Sequence, residues 1–251
     1  MRPKVNPAAL QQVARRPDFF SLNGQNEGNR CKRRSLVPGL NCSARLYADQ
    51  IPELWRFGPV TVADHTRDDS MEAIAARILA AAPPRFALAG LSMGGYIALT
   101  MLKQAPERVA KLALLDTSAR PETPEQTERR KPQIALAQAG RFAEVPALQF
   151  PVFVHRNRQN DEELRARVHV MAEETGPEAF LRQQTAIMTR ADARPLLPTI
   201  RCPTLVLVGD GDALTPPALS QELAAGIAGS RLVVVPDCGH LSTMDAPRRS
   251  I

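Results

Sequence analysis

From Phe86 to Leu102 the chain runs for 17 residues without a charged side chain. That length lies at the short limit for a membrane-crossing helix. Gly90, Ser92, Gly94 and Gly95 stand in its middle, however, and glycines weaken a continuous helix. A buried strand, a tight turn and a buried helix account for the stretch better. A strand apolar on both faces belongs inside a parallel sheet covered by helices.

The surrounding pattern supports such a sheet. Gly58–Asp64, Arg85–Leu91, Val109–Leu115, Thr204–Val208 and Arg231–Val235 read as strands. Ser70 can cap a helix running to Ala82, with Met71, Ile74 and Ile78 on one face. Gly94–Gln104 reads as a helix stopped by Pro106, and another helix is expected near Leu219–Ile227. The alternation predicts an α/β fold with a mostly parallel central sheet and helices on both faces. It breaks between residues 118 and 198, where Arg, Glu, Gln and Pro dominate and helices are expected at Asp161–Glu174 and Pro177–Met188. The expected organisation is therefore an unassigned, poorly ordered segment 1–34, a core of 35–117 and 199–251, and a helical insertion over 118–198.

Composition narrows the function. A net charge of +6 is spread along the chain. Its densest runs are Arg30, Lys32, Arg33, Arg34 and Arg129, Arg130, Lys131, with no interleaved aromatics. They read as solvated surface, and no nucleic-acid partner is expected. No membrane association is expected either. Cys31, Cys42, Cys202 and Cys238 form no C-x-x-C pair, which fits free thiols in a reducing cytoplasm. Met1-Arg-Pro-Lys has no apolar run behind it, so no secretory signal is expected.

Gly90-Leu-Ser92-Met-Gly94 matches G-x-S-x-G between a strand and a helix. That context suits a nucleophile elbow, in which the serine is held outward at a helix N-terminus, where N–H groups favour a developing anion. Downstream, strand Leu205–Val208 runs into Gly209-Asp210-Gly211-Asp212. Acidic groups at the carboxyl end of a parallel strand share the edge of the sheet that carries the elbow. Asp212 is the favoured acid and Asp210 the alternate. His240 follows the last strand, and the order Ser, Asp, His is the one this arrangement uses. His65 precedes the serine, and His155 and His169 fall in the insertion. In Leu36-Val-Pro38-Gly39-Leu40 the glycine lets the backbone bend, so that the Leu40 and Met93 amides are candidates for an oxyanion hole.

Quoted in order, LVPGL, ADQIPEL, LAGLSMGGYIAL, PERVAKLALLDT, CPTLVLVGDGDALTPP and VVVPDCGHLSTMDAP resemble the α/β-hydrolase superfamily, most of all its bacterial esterase and lactonase members. The resemblance spans Ser35 to Pro247. It implies Ser92 as nucleophile, His240 as base and Asp212 as the acid behind it, with Leu40 and Met93 as oxyanion donors and 118–198 as a helical cap. It implies no cofactor and no metal. Pro38 stands where many relatives have histidine. Two strands usual ahead of LVPGL, and a helix usual after the histidine loop, are not evident, so that loop is expected to be loosely held.

The expected reaction is two-step acyl transfer on a small-molecule ester with a short- to medium-chain acyl group. The insertion offers Phe142, Leu148, Phe150, Phe153, Phe180 and Met188 as candidate lining of an acyl pocket. An enol-lactonase or carbon–carbon bond hydrolase on the same triad is one alternative, and an inactive hydrolase-like binding protein is another.

Overall fold

The computed structural model describes residues 33–248. The expectation for segment 1–34 lies outside the described residues, save for its last two. The strands are β1 (Arg34–Val37), β2 (Val60–Val62), β3 (Phe86–Leu91), β4 (Val109–Leu115), β5 (Thr204–Gly209) and β6 (Arg231–Val235). They form one six-stranded sheet in the order β2-β1-β3-β4-β5-β6, and every pairing is parallel. All six carboxyl ends therefore lie on one edge.

The sheet interior is as apolar as the sequence demands. Every residue of β3 and β5 is buried. Helix α1 (Ile51–Trp55) precedes β2. Helix α2 (Met71–Ala81) starts at Ser70, whose Oγ accepts the Ala73 amide at 3.2 Å. It buries Met71, Ile74 and Ile78 in one cluster with Ile97 and Met101 of α3 (Met93–Gln104) and Leu112 and Val206 of the sheet. Burying a Leu, Ile or Met side chain contributes about 1.5–3 kcal/mol, so this cluster binds the helices firmly to the sheet.

Four helices stand between β4 and β5: α4 (Pro124–Gln138), α5 (Val145–Phe153), α6 (Glu162–Thr175) and α7 (Pro177–Met188). Thr123 begins α4 with a capping box, its side chain accepting the Gln126 amide while Gln126 accepts the Thr123 amide. Asp161 caps α6 through the Leu164 amide at 2.9 Å. Helices α8 (Pro217–Gly226) and α9 (Ser242–Asp245) complete the described chain. No helix among the described residues is long and apolar enough to cross a membrane.

Two arginines depart from the surface reading. Arg34 opens β1, is buried, and lies 5.5 Å from the ring centre of Phe57. The interior position of β1, between β2 and β3, and the aromatic face of Phe57 accommodate the long side chain. Arg130 is mostly buried against the nearly inaccessible Glu122, at 2.6 Å.

Candidate active site

The strand–turn–helix around Ser92 is tight enough to exclude any side chain at two flanking positions. A Cβ on Gly90 would lie 2.1 Å from the Gly94 carbonyl oxygen, and one on Gly94 would lie 2.0 Å from the Val37 carbonyl oxygen. Ser92 itself has φ 55°, a left-handed conformation that costs a non-glycine residue energy and survives only where the surroundings enforce it. Its amide donates to the Leu115 carbonyl at 2.9 Å, extending the β3–β4 ladder through the turn. Thr117 Oγ1 donates to the Ser92 carbonyl at 2.8 Å. The side chain makes no capping bond to α3.

Ser92 Oγ instead meets His240 Nε2 at 2.8 Å. His240 Nδ1 lies 2.9 Å from both carboxylate oxygens of Asp212. A carboxylate only accepts, so Nδ1 carries the proton and Nε2 presents its lone pair to the serine hydroxyl. Asp212 also accepts the Leu214 and Thr215 amides, each at 2.9 Å, and the Thr215 hydroxyl at 2.7 Å. Burial alone would raise the Asp212 carboxyl, but the His240 charge and these donors hold it below the usual range. Burial alone would lower the His240 imidazole, but the charge and hydrogen bond of Asp212 outweigh it, and the net direction is upward. Asp210, the alternate acid, is exposed and accepts the Cys238 amide at 3.2 Å.

The turn after β1 lies against the serine. Val37 is in register with Gly90, and a Cβ on Gly39 would stand 3.4 Å from that of Ser92. The Gly39 carbonyl accepts His65 Nε2 at 2.9 Å and the Cys42 amide at 3.2 Å. In a trans peptide the C=O and N–H point in opposite directions, so these two donors turn the Leu40 amide away from His65. Burial pushes His65 below its ordinary value and keeps it neutral. Sequence reasoning set His65 aside for preceding the serine; its place after β2, next to β1, was the available signal.

Two further acidic side chains organise the loops. Asp116 follows β4, is fully buried, and accepts the Gly209 amide at 3.0 Å and the Ser242 hydroxyl. It thereby joins the end of β5, which launches Asp212, to the residues after His240. Asp245 Oδ2 accepts the Gly239 amide at 2.5 Å and the His155 amide at 2.7 Å. Arg158 donates to the Asp245 carbonyl at 2.6 Å, and Gln50 Nε2 donates to the Thr243 carbonyl at 2.8 Å. The histidine loop, expected to be loosely held, is held from several sides by hydrogen bonds involving Asp116, Gln50, α9 and the inserted segment.

Ser92 and His240 open onto a cavity of about 260 Å³. Of the candidate acyl-pocket residues, Leu148 and Phe153 line it. Phe150 and Phe180 are fully buried core, and Phe142 packs on Phe180 with ring centres 5.4 Å apart.

Residues 37–247 match a family described as the alpha/beta hydrolase fold. The chain belongs to this family. It is a hydrolase of the carboxylesterase type. This α/β-hydrolase is 27% identical over 221 residues to a pimeloyl-[acyl-carrier protein] methyl ester esterase of Neisseria meningitidis serogroup C, covering 83% of this chain and 86% of the relative. It is 31% identical over 248 residues to a putative carbamate hydrolase of Variovorax paradoxus, covering 89% of each. Among solved structures it is similar to a thermophilic esterase from Thermogutta terrifontis, with 30% identity and a TM-score of 0.78 over 87% of this chain and 86% of that one. An enol-lactonase from Burkholderia xenovorans shares the fold at 24% identity and a TM-score of 0.78, covering 89% of each chain.

Proposed function

We propose that this hydrolase cleaves small-molecule carboxylic esters with short- to medium-chain acyl groups through an acyl-enzyme on Ser92. The observation that carries the reading is the unbroken line from Ser92 Oγ through His240 to Asp212, with contacts of 2.8 and 2.9 Å. His240 takes the serine proton as Oγ attacks the ester carbonyl, and returns it to the departing alkoxide. Asp212 fixes the tautomer and stabilises the imidazolium. The amides of Leu40 and Met93 stabilise the oxyanion. Water, activated by His240, then releases the acid.

The esterase among the curated relatives supports ester chemistry, and the cavity size supports a modest acyl group, since 260 Å³ is small for a ligand pocket. Helices α4–α7 act as the cap that covers the serine. The complete set of contacts speaks against a pure binding role.

The test is hydrolysis of p-nitrophenyl butyrate by wild type and Ser92→Ala. The serine variant should lose roughly 10⁶ in kcat while keeping its fold. Equal rates in both proteins would remove Ser92 from the mechanism.

A further inference from the structure

The two walls of the active-site cavity differ in chemistry. One comes from α5, where Leu148 and Val152 lie a turn apart, remain substantially exposed and line the opening. The other comes from α4. Gln126, Arg129, Arg130 and Gln133 all line the cavity, and their spacing of three, four and seven residues is one face of a helix. Helix α4 buries a single residue, Ala137. The face that a cap helix ordinarily turns inward as apolar surface is here two arginines between two glutamines.

The charge on this face is not cancelled. No Asp or Glu lines the cavity among the described residues. Arg129 has no ion pair or hydrogen bond there, and Glu125, one turn earlier, feels its charge without pairing with it. Arg130 bonds Glu122 at 2.6 Å and Gln184 at 3.0 Å. Glu122 also pairs with the buried Arg190, so one carboxylate serves two guanidinium groups and a positive charge is left over. Arg130 lies close enough for its charge to oppose protonation of His240. Gln133 is aimed by a chain of amides: Asn41 Nδ2 donates to Gln149 Oε1 at 3.0 Å, and Gln149 Nε2 donates to Gln133 Oε1 at 3.0 Å. This leaves the Gln133 NH₂ as a donor on the cavity side.

We infer that this face is an anion subsite, and that the substrate is an ester bearing a carboxylate away from the scissile bond, such as a half-ester of an aliphatic dicarboxylic acid. The inference rests on the hydrolase reading above. The ester carbonyl sits at Ser92, the methylene chain runs along Leu148 and Val152, and the free carboxylate meets the Arg129 fork, while Arg130, whose donors are taken by Glu122 and Gln184, contributes charge alone. Guanidinium forks match a carboxylate with two parallel N–H donors. A neutral ester of equal length leaves the Arg129 donors to water and gains nothing from the surplus charge.

The test compares monomethyl adipate with methyl hexanoate, which has the same chain without the carboxylate, in wild type and Arg129→Gln. Wild type should favour the half-ester. Arg129→Gln should lower the ratio of the two kcat/KM values on the order of tenfold, as expected for loss of a charge-assisted hydrogen bond. Equal kcat/KM values in wild type, or a ratio unchanged by the substitution, overturn the anion subsite and leave ester hydrolysis standing. If neither ester turns over, calorimetric titration of Ser92→Ala with adipate separates the two readings. Binding that weakens when Arg129→Gln is added supports the subsite and rejects the proposed short- to medium-chain ester substrates. Absence of binding rejects both.

Discussion

Asp116 receives the Gly209 amide at 3.0 Å from a fully buried position. Burial, and next the charge of Asp212, raise its carboxyl to about 8, against roughly 3.9 in an unfolded chain. Between those values the native state binds a proton that the unfolded state releases, so this group lowers stability as pH rises. Asp116→Asn keeps the shape and has no such dependence. The melting temperature of the variant relative to wild type should therefore increase steadily from pH 5 to pH 8. A constant difference across that range would show that Asp116 is ionised throughout.

The rate should respond to pH through His240. The base works only when neutral, and Asp212 holds its imidazole above the ordinary 6.5 despite burial. The kcat/KM profile, which reports the free enzyme, should fall on the acid side with a midpoint above 6.5. The stabilising part of the same linkage is complete below the unfolded value and disappears as pH rises through the folded one. An acid limb centred below 6.5 would contradict the arrangement.

His65 is expected to act on rate through the turn that carries Leu40. His65→Leu removes the 2.9 Å donor to the Gly39 carbonyl and frees that peptide to rotate. The loss in kcat should be about tenfold or more, since a single oxyanion donor is typically worth 10²–10³. KM should change little. His65→Gln, which can still donate to the carbonyl, should recover part of the loss, whereas a purely packing role predicts no such recovery.

Gly239→Ala should destabilise the protein and reduce activity together. A Cβ there would stand 2.3 Å from the His155 backbone nitrogen, and backbone cannot step aside as a flexible side chain can. Overpacking of this kind costs about 2 kcal/mol. Chemical denaturation should show the loss, and it should be accompanied by a lower kcat from a displaced His240.

The sheet was readable because its signals are local. The strands Val109–Leu115 and Arg231–Val235 and the helix Pro177–Met188 have the bounds the sequence suggested. A mostly apolar run or a Pro–Glu start is enough to define such elements. The proximity of Ser92, Asp212 and His240 followed from chain order and from the shared edge of a parallel sheet. Helices α4 and α5 were not recognised, because α4 is polar almost throughout and both carry an internal proline, Pro132 and Pro151. Asp116, Asp245 and His65 were missed for another reason. Each acts through a backbone amide or carbonyl remote in sequence, and no spacing rule announces such a partner. Arg34 and Arg130 misled because a cluster of like charges reads as surface until an aromatic ring or a carboxylate is seen behind it.

The Asp245 clamp bears on how this enzyme can be altered. Because one carboxylate fastens both the His155 and Gly239 amides, the end of α5 is tied directly to the loop that carries the base. Leu148 and Val152 thus project from a backbone whose position does not depend on what their side chains touch. Exchanging them for smaller or larger residues should redraw the doorway while leaving the reaction centre in place, which makes these two positions the natural starting points for a library aimed at new substrates.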